Sequence, residues 1–369
     1  MKVFLIAGAR PNFMKIAPIW KEIKKHPAEF EALIVHTGQH YDYEMSKSFF
    51  EQLVLPEPDF YLGVGSASQA YQTAKIMVEF EKMAIEDRPD LIVVVGDVNS
   101  TLACSLVAAK LQIKLAHIEA GLRSFDRSMP EEINRIVTDV LSDYLFTTCQ
   151  DANNNLEKEG IGKEKTFFVG NVMIDSLFSN MEGVNNSLIL KRLGLEEKIY
   201  ALLTLHRPSN VDQKETFLRI LEAIEEIQKE IKIVFSVHPR TRIRIKELGL
   251  DEKIDSLSNM IVVEPLSYLD FLRLTKGSKF TMTDSGGLQE ETTVLGIPCV
   301  TIRENTERPI TISEGTNVLV GTDTEKIVRE CLVVINGGGK RGRIPKLWDG
   351  KAAKRIVEKL LEVDSLAGC

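Results

Sequence analysis

Residues 279–291 read KFTMTDSGGLQEE, a stretch that decides the fold because it predicts a strand, a tight turn and a helix in succession. Apolar and polar residues alternate over 280–283, as they do in a strand. Asp284 and Ser285 are typical of turns and helix caps, and we expect the helix to open at Leu288. Such a turn aims backbone N–H groups, and the positive end of the helix dipole, at one point. The stretch therefore predicts an anion site at a strand end of an α/β protein.

The residues around this turn favour a nucleoside diphosphate as the anion. Gly286 and Gly287 let a ligand approach the backbone without a Cβ in the way. Glu291 offers a carboxylate suited to ribose hydroxyls, and Arg308 follows the next predicted strand with a guanidinium suited to phosphate. The alternative for Ser285 and the two glycines alone is a capped helix beside a tight turn. The spacing of Glu291 and Arg308 favours the nucleotide site.

The composition argues against several classes of function. The 369 residues carry 46 basic and 53 acidic side chains without a basic face, so nucleic acid is not an expected partner. No apolar run approaches the ~20 residues that span a membrane, and the first residues are too short for a signal-peptide core. The five cysteines are odd in number and widely spaced. They predict reduced thiols in a cytoplasmic protein, not a disulfide framework or a zinc site.

Strand and helix patterns alternate along the whole chain. This alternation predicts an α/β protein with two Rossmann-like, doubly wound domains that face a central cleft. We expect residues 1–170 to form an N-terminal domain that carries the catalytic carboxylates. Residues 171–350 would form the nucleotide-binding domain, and residues 351–369 a helix that returns to the first domain.

Polar side chains collect where the predicted strands end. They are Arg10, Lys15, Asp97, Glu119 and Glu131 in the first half and His206 in the second. Because parallel strands finish at the same edge of a sheet, we expect these groups to converge. Singly, the alternatives are a helix cap for Asp97, a first-turn acid for Glu131 and a surface charge for Arg10. These alternatives explain the pattern only if they hold at every strand end at once, so the pattern as a whole favours a shared site.

Common cofactor motifs are missing. Residues 63–68 lack the third glycine of a dinucleotide fingerprint, and the first turn holds one glycine, so a nicotinamide cofactor is not expected. No P-loop and no metal-ligand spacing occur, so we predict neither a cofactor nor a metal. What remains is a diphosphate site together with carboxylates, which suits acid–base chemistry on a sugar attached to the diphosphate.

Several ordered motifs resemble one family over nearly the whole chain, the non-hydrolysing UDP-N-acetylglucosamine 2-epimerases. The motifs are GARP followed by Lys15, GDVNST (96–101), HIEAGLR (117–123), PEEINR (130–135), HR (206–207), TDSGGLQEE (283–291) and TERP (306–309). The resemblance implies the two-domain GT-B fold, a homodimer, and conversion of UDP-N-acetylglucosamine to UDP-N-acetylmannosamine for surface polysaccharide or glycan synthesis. One departure is HRPSN at residues 206–210, where bacterial members tend to read HRREN.

The resemblance also implies roles for individual residues. The positions that match catalytic residues of the family are Asp97, Glu119, Glu131 and His206. The positions that match its ligand contacts are Arg10, Lys15, Phe271, Ser285, Gly286, Gly287, Glu291 and Arg308.

The expected chemistry begins with loss of UDP, because the C2 proton of the sugar is not adjacent to a carbonyl. Positive charge at C1 then acidifies C2–H, so that Asp97 can remove this proton to give 2-acetamidoglucal. We expect Glu119 to return a proton to the opposite face, with Glu131 and His206 steering protonation and leaving-group charge. The alternatives are a GT-B glycosyltransferase with a UDP-sugar donor, a hydrolysing 2-epimerase and a UDP-sugar sensor.

Overall fold

The computed structural model of this protein describes residues 1–38, 53 and 55–367. The chain divides into two compact units. Unit 1 comprises Met1–Ser179 and Lys346–Cys369, and unit 2 comprises Asn180–Pro345.

A parallel sheet forms the centre of unit 1. Its strands are β1 (Lys2–Ala7), β2 (Glu31–His36), β3 (Phe60–Tyr61), β4 (Leu91–Val95), β5 (Lys114–Ala120), β6 (Tyr144–Thr147) and β7 (Thr166–Phe168). Their order is β3-β2-β1-β4-β5-β6-β7, with every pair parallel. All five residues of β4 are buried, which explains its uninterrupted apolar sequence.

Helices connect these strands. They are α1 (Arg10–Ile23), α2 (Gln69–Glu86), α3 (Asn99–Lys110), α4 (Pro130–Leu141), α5 (Gln150–Lys158) and α6 (Val172–Ser179). Helix α6 packs on α1, where Ser176 Oγ donates to the carbonyl of Met14. Unit 1 therefore extends past residue 170, where the sequence analysis ended the first domain.

Unit 2 contains a second parallel sheet. Its strands are β8 (Tyr200–Thr204), β9 (Lys232–Ser236), β10 (Met260–Val263), β11 (Phe280–Thr283), β12 (Cys299–Thr301) and β13 (Asn317–Leu319), in the order β10-β9-β8-β11-β12-β13. The helices are α7 (Met181–Asn186), α8 (Ile189–Arg192), α9 (Pro208–Val211), α10 (Lys214–Ile227), α11 (Pro239–Glu247), α12 (Asp251–Asp255), α13 (Tyr268–Gly277), α14 (Gly286–Leu295), α15 (Ile310–Ser313) and α16 (Thr324–Ile335). In each sheet the strand order reverses beside the first strand of the unit, β1 in unit 1 and β8 in unit 2. This topology confirms the predicted pair of Rossmann-like α/β sheets.

The last helix, α17 (Ala352–Ala367), belongs to unit 1, where it packs on α1 and α6. The carboxylate of Asp175 accepts hydrogen bonds from the N–H groups of Ala352 and Ala353, at 3.1 and 2.7 Å. A side chain of α6 thus satisfies the first N–H groups of α17. In the part of the chain that the structure describes, no helix combines the length and apolar character needed to cross a bilayer.

One helix start differs from the prediction. Helix α14 begins at Gly286, not at Leu288, and Ser285 is its extended N-cap residue without a side-chain hydrogen bond to the helix. The carboxylate of Asp284 does not turn toward this helix, because the N–H groups of His206 and Arg207 bind it. Both glycines therefore lie in the first turn, and their N–H groups are among those that a helix leaves without intrahelical partners.

Candidate active site

In unit 1, the end of β4 holds Asp97 next to an arginine. Asp97 Oδ2 accepts hydrogen bonds from Arg135 Nε and Nη2, at 3.0 and 2.6 Å. The residue at the N-cap of α3 is Val98, whose side chain makes no capping hydrogen bond. The carboxylate of Asp97 is oriented by a guanidinium from α4.

The end of β5 holds Glu119 in a buried ion pair with Lys15 of α1. Glu119 has a φ of 70°, a backbone conformation that is uncommon outside glycine, and the register of β5 against β6 shifts between Ile118 and Ala120. Gly96 makes room for the pair, because a Cβ there would lie 2.7 Å from Lys15 Nζ. The structure thus brings the predicted residues Lys15 and Glu119 together, with Lys15 bound to a carboxylate.

Helix α4 supports both strand ends through its N-terminal half. Glu132, which the sequence analysis did not select, accepts from the N–H groups of Ser124 and Phe125 and from Arg135 Nη1, at 2.9, 2.8 and 2.6 Å. Its neighbour Glu131 is half-buried in the first turn, where a carboxylate interacts favourably with the helix dipole. The same Arg135 binds Glu132 and Asp97, so α4 fixes the position of the expected base.

Beneath this site lies a charged group that is fully buried. His117 Nε2 is 2.8 Å from the carbonyl oxygen of Gly96, and its Nδ1 is 2.6 Å from Asp139 Oδ1. Burial alone would raise the pKa of the Asp139 carboxyl, but His117 and Arg123 outweigh it and hold this pKa below its ordinary value. The His117 ring thus bridges the Asp139 carboxylate and the carbonyl of the residue before Asp97.

In unit 2, Asp284 organises the end of β11. It is fully buried and accepts from the N–H groups of His206 and Arg207, from Asn210 Nδ2, and from His206 Nδ1 at 2.9 Å. Burial alone would raise the pKa of this carboxyl, but the His206 ring and the N–H donors hold the pKa below its ordinary value. Asn210 also donates to the carbonyl of Ile302. In the HRPSN segment, Pro208 begins α9. Asn210, which matches the asparagine of HRREN, donates to Asp284.

His206 is oriented by this carboxylate and stays accessible. With Nδ1–H donated to Asp284, a neutral His206 ring carries its lone pair on Nε2. The side chain is 33% exposed, and the ring of His238 lies 5.4 Å away between centroids. The imidazole therefore can accept or return a proton at a fixed position.

The start of α14 lies beside a cluster of charged side chains. A Cβ on Gly286 would be 2.7 Å from Arg308 Nη1 and 2.6 Å from Glu307 Oε1. At Gly287, no described atom apart from its chain neighbours and the backbone of its own helix lies within 4 Å of the corresponding position. Arg308 contacts Glu307 at 2.5 Å and Glu290 at 2.8 Å. The predicted guanidinium is thus at the helix start, held by two carboxylates.

Two further predicted contacts lie on α13 and α14. Glu291 is buried and accepts from the hydroxyl of Tyr268 at 3.0 Å. Burial, followed by the neighbouring Glu291, raises the pKa of Tyr268 well above its ordinary value, so Tyr268 remains a donor. Phe271 is half-buried against the apolar cluster that contains Tyr200 and Leu274.

Arg10 begins α1, but its side chain lies outside the part of the structure that is described. Among the described residues, no three His, Cys, Asp or Glu side chains are grouped in a way that could hold a metal ion. Sequence reasoning missed Asp284, Asp139, Glu132 and Arg135 as site residues, although all four lie within or near the quoted motifs.

Comparison with known proteins identifies the family. A family model described as UDP-N-acetylglucosamine 2-epimerase matches residues 21–361. The UDP-N-acetylglucosamine 2-epimerase of Methanocaldococcus jannaschii is 44% identical over 365 residues, 98% of this chain and 99% of that protein. The UDP-2,3-diacetamido-2,3-dideoxy-D-glucuronate 2-epimerase of Pseudomonas aeruginosa is 39% identical over 364 residues, 98% of this chain and 100% of that protein.

Solved structures give the same result. The crystal structure of the M. jannaschii UDP-GlcNAc 2-epimerase in complex with UDP-GlcNAc and UDP matches with a TM-score of 0.92 at 44% identity, covering 98% of this chain and 100% of that chain. The enzyme from Neisseria meningitidis bound to UDP-GlcNAc matches with a TM-score of 0.88 at 32% identity, covering 98% and 100%. This chain has their GT-B-like fold. It belongs to the UDP-N-acetylglucosamine 2-epimerase family.

Proposed function

We propose that this protein is an isomerase that reversibly inverts C2 of UDP-N-acetylglucosamine to give UDP-N-acetylmannosamine, without hydrolysis. The observation that carries the proposal is the pair of carboxylates at neighbouring strand ends in unit 1. Asp97 and Glu119 are each bound to a buried cation, Arg135 and Lys15 respectively. Removal and return of a proton at one carbon needs such groups at fixed positions. Family membership supports the choice of substrate.

The reaction begins when the bond between C1 and the diphosphate oxygen breaks and its electron pair leaves with UDP. Asp97 removes the C2 proton as the C1–C2 double bond of 2-acetamidoglucal forms. Glu119, which takes up a proton from solvent, then protonates the opposite face of C2, and a diphosphate oxygen adds again to C1. Asp97 releases its proton to solvent, which restores the starting state. Glu131 and His206 steer protonation and the charge on the leaving group. The sum is inversion at C2 with no net gain or loss of atoms, and it requires neither NAD nor a divalent metal.

Unit 2 holds the nucleotide in this proposal. The N–H groups of Gly286 and Gly287 and the guanidinium of Arg308 bind the diphosphate, because all three lie at the positive end of α14. Glu291, already hydrogen-bonded to Tyr268, binds ribose hydroxyls. The remaining contacts come from Ser285 at the helix cap, Phe271 at the uracil, and Arg10 and Lys15 in α1.

A second candidate substrate follows from one relative. The P. aeruginosa protein that is 39% identical is named for a UDP-sugar with a second acetamido group and a carboxylate. The same proton chemistry at C2 would serve that sugar. Comparison of kcat/KM for UDP-N-acetylglucosamine and UDP-2,3-diacetamido-2,3-dideoxyglucuronate decides between them, the higher value naming the substrate.

The setting of the reaction follows from the resemblance. The product would supply surface polysaccharide or glycan synthesis in the cytoplasm. Burial of the four described cysteines, which raises the pKa of Cys104, Cys299 and Cys331, agrees with thiols that stay reduced.

The test is NMR of the protein with UDP-N-acetylglucosamine in D2O, with no acceptor present. We expect UDP-N-acetylmannosamine with deuterium at C2, because the removed proton exchanges with solvent before Glu119 protonates the other face. Free N-acetylmannosamine and UDP would instead identify a hydrolysing enzyme. Product only after an acceptor is added would identify a glycosyltransferase, and binding without turnover a sensor.

The matched variant is Asp97→Asn, which keeps the shape of the side chain and removes its proton affinity. The rate should fall by about 10²–10⁴, as is typical for loss of a general base. Calorimetry should show that UDP still binds, since Asp97 is not among the proposed nucleotide contacts. A near-normal rate would move the base to Glu119 or Glu131.

A further inference from the structure

An exposed aromatic ring lies at the carboxyl edge of the sheet in unit 1. Phe125 is 77% exposed, in the loop that joins β5 to α4. Glu119 precedes this loop and Glu131 follows it, so the loop lies at the strand ends that carry the proposed catalytic carboxylates. Because most of its surface is open, the ring contributes little to the packing of unit 1.

The backbone at Phe125 is also strained. Its φ is 60°, in the left-handed region, where a bulky aromatic residue is an outlier. Such a conformation costs free energy and persists only where the surrounding contacts impose it. A glycine would adopt it without that cost. A large ring therefore stands at a position where neither packing nor backbone preference favours one.

Hydrogen bonds on both sides of Phe125 hold this conformation. Glu132 accepts from the N–H groups of Ser124 and Phe125, at 2.9 and 2.8 Å, and from Ser124 Oγ at 3.0 Å. After Phe125, Asp126 Oδ1 accepts from the N–H and the hydroxyl of Ser128, at 3.0 and 2.6 Å. The loop therefore fixes the backbone from which the ring projects.

The same hydrogen bonds connect Phe125 to the proposed base. Glu132 also accepts from Arg135 Nη1 at 2.6 Å, and Arg135 Nη2 donates to Asp97 Oδ2 at 2.6 Å. One carboxylate and one guanidinium thus tie the backbone of Phe125 to the carboxylate of Asp97. A residue whose backbone is held by the partner of the base is suited to orient the molecule on which the base acts.

The chemistry of the substrate indicates what the ring contacts. Every proposed site residue in unit 1 is charged: Arg10, Lys15, Asp97, Glu119 and Glu131. Charged groups suit hydroxyls, phosphates and proton transfer, whereas an N-acetylated sugar also presents C–H groups and a methyl group. Ligand sites usually combine a few polar groups with apolar and aromatic walls. Phe125 supplies an aromatic group at the strand ends of unit 1.

We propose that Phe125 is a substrate-binding residue that packs against the sugar of the UDP-sugar and covers C1 and C2 from water. This inference rests on the proposed function, which assigns the acid–base chemistry to Asp97 and Glu119. Cover over C1 and C2 keeps 2-acetamidoglucal and UDP together until they recombine. UDP alone lacks the sugar and makes no contact with the ring.

The test compares removal of the ring with its retention. Phe125→Gly removes the ring and suits the backbone, whereas Phe125→Tyr keeps the ring. Phe125→Gly should raise KM for UDP-N-acetylglucosamine by at least about 10-fold and leave the Kd for UDP unchanged. It should also release free UDP and 2-acetamidoglucal during turnover, which phosphorus and proton NMR detect. Phe125→Tyr should behave as the parent in all three measurements.

Gln112→Gly is the matched control. Gln112 is exposed with a φ of 55° just before β5, at the opposite end of this strand from Glu119. Glycine there relieves the same backbone strain away from the carboxylates, so KM and UDP release should not change. Both glycine variants should melt close to the parent, because relief of strain and the greater freedom of the unfolded chain oppose each other.

An unchanged KM without release of UDP in Phe125→Gly overturns the proposal. Equal loss of affinity for UDP and for the UDP-sugar also overturns it, because the ring would then serve the nucleotide site or the fold. If Phe125→Gly fails to fold, Phe125→Asn replaces it, since asparagine also tolerates the left-handed region. A parent that binds but does not epimerise UDP-N-acetylglucosamine refutes the proposed function instead, and calorimetry with the UDP-sugar and with UDP then decides the role of Phe125.

Discussion

Each unit places an aspartate beside a histidine at its sheet, and the two pairs differ in exposure. In unit 1, His117 is fully buried and both its nitrogens are engaged, by Asp139 and by the carbonyl of Gly96. In unit 2, Asp284 is as deeply buried, but the side chain of His206 is 33% exposed. Both aspartates have a lowered pKa. The pair in unit 1 is thus internal, whereas the pair in unit 2 presents an accessible ring.

The difference shows that burial of the carboxylate and access to the imidazole are separate requirements. A buried aspartate orients the ring in both units. Only the exposed ring can exchange protons with a ligand. We therefore assign His117 to positioning and His206 to chemistry, and variants of each can break that assignment.

The largest expected effect is on turnover by His206→Asn. Asparagine can still donate to Asp284 but cannot exchange protons, so kcat should fall by about 10²–10⁴. The melting temperature should change little, because the side chain is partly exposed. Steady-state kinetics measure kcat, and thermal unfolding measures the melting temperature. A large drop in melting temperature with modest kinetic change would assign this pair to support as well.

The next effect is on stability, from His117→Leu. The leucine leaves the carbonyl of Gly96 and part of Asp139 without their donor in a fully buried site. Leaving a buried acceptor without its donor typically costs about 1–3 kcal/mol of the free energy of unfolding, and more where the acceptor is charged. Urea unfolding measures this, with His206→Asn as the control. A wild-type free energy of unfolding in His117→Leu would show that the buried pair does not support the site.

A third buried aspartate, Asp175, extends the comparison, because its hydrogen bonds come from the backbone N–H groups of Ala352 and Ala353 and not from a histidine ring. Burial raises the pKa of this carboxyl from 3.8 to about 6, against the N–H groups of Ala353 and Ala352, which lower it. Between these pH values the native state binds a proton that the unfolded chain has lost. The free energy of unfolding should therefore fall by up to roughly 3 kcal/mol as the pH rises from about 4 to 6.

The measurement compares Asp175→Asn with the wild type at pH 4 and pH 6. The variant lacks the titrating group, so its loss of stability over this range should be smaller. Asp255→Asn, at an exposed position on α12, serves as the control and should follow the wild type. Parallel pH dependence in Asp175→Asn and the wild type would contradict the raised pKa.

The sequence predicted the sheets well because buried parallel strands read as continuous apolar runs, as in β4. It missed β3, Phe60–Tyr61, which is too short for a pattern. The mostly polar run at residues 182–186 has no apolar periodicity, yet the structure has the helix Met181–Asn186 there. Two-residue strands and one-turn helices depend on tertiary contacts more than on local periodicity.

Only part of the site could be predicted, because local sequence does not show which distant side chains pair. Strand ends pointed to Asp97 and Glu119, but the partners that hold them come from distant parts of the chain. Arg135 is 38 residues from Asp97, and Lys15 is 104 residues from Glu119. One signal was available: the polar residues of α4 recur at helical spacing, but this pattern does not distinguish a buried polar face from a solvated one. The pairing of side chains therefore required the structure.

The smallest predicted effect concerns the two glycines at the start of α14. A Cβ at Gly286 would meet Glu307 and Arg308, whereas the position at Gly287 is open and lies inside the helix. Gly287→Ala should therefore stabilise the protein without ligand by about 0.5–1 kcal/mol, because alanine is the better helix former and restricts the unfolded chain. If diphosphate binds at these N–H groups, the new methyl group stands in its path, and UDP affinity should fall while stability rises.

Gly287→Ala is informative because its stability without ligand and its UDP affinity should change in opposite directions. Thermal unfolding without ligand measures the first, and calorimetry with UDP measures the second. A matched Gly337→Ala substitution tests the backbone instead: Gly337 also has open space but a φ of 85°, so alanine there should destabilise the chain and leave UDP binding unchanged. Increased stability with unchanged UDP affinity in Gly287→Ala would show that the diphosphate does not bind at the start of α14. The assignment of nucleotide binding to unit 2 would then have to rest on other residues.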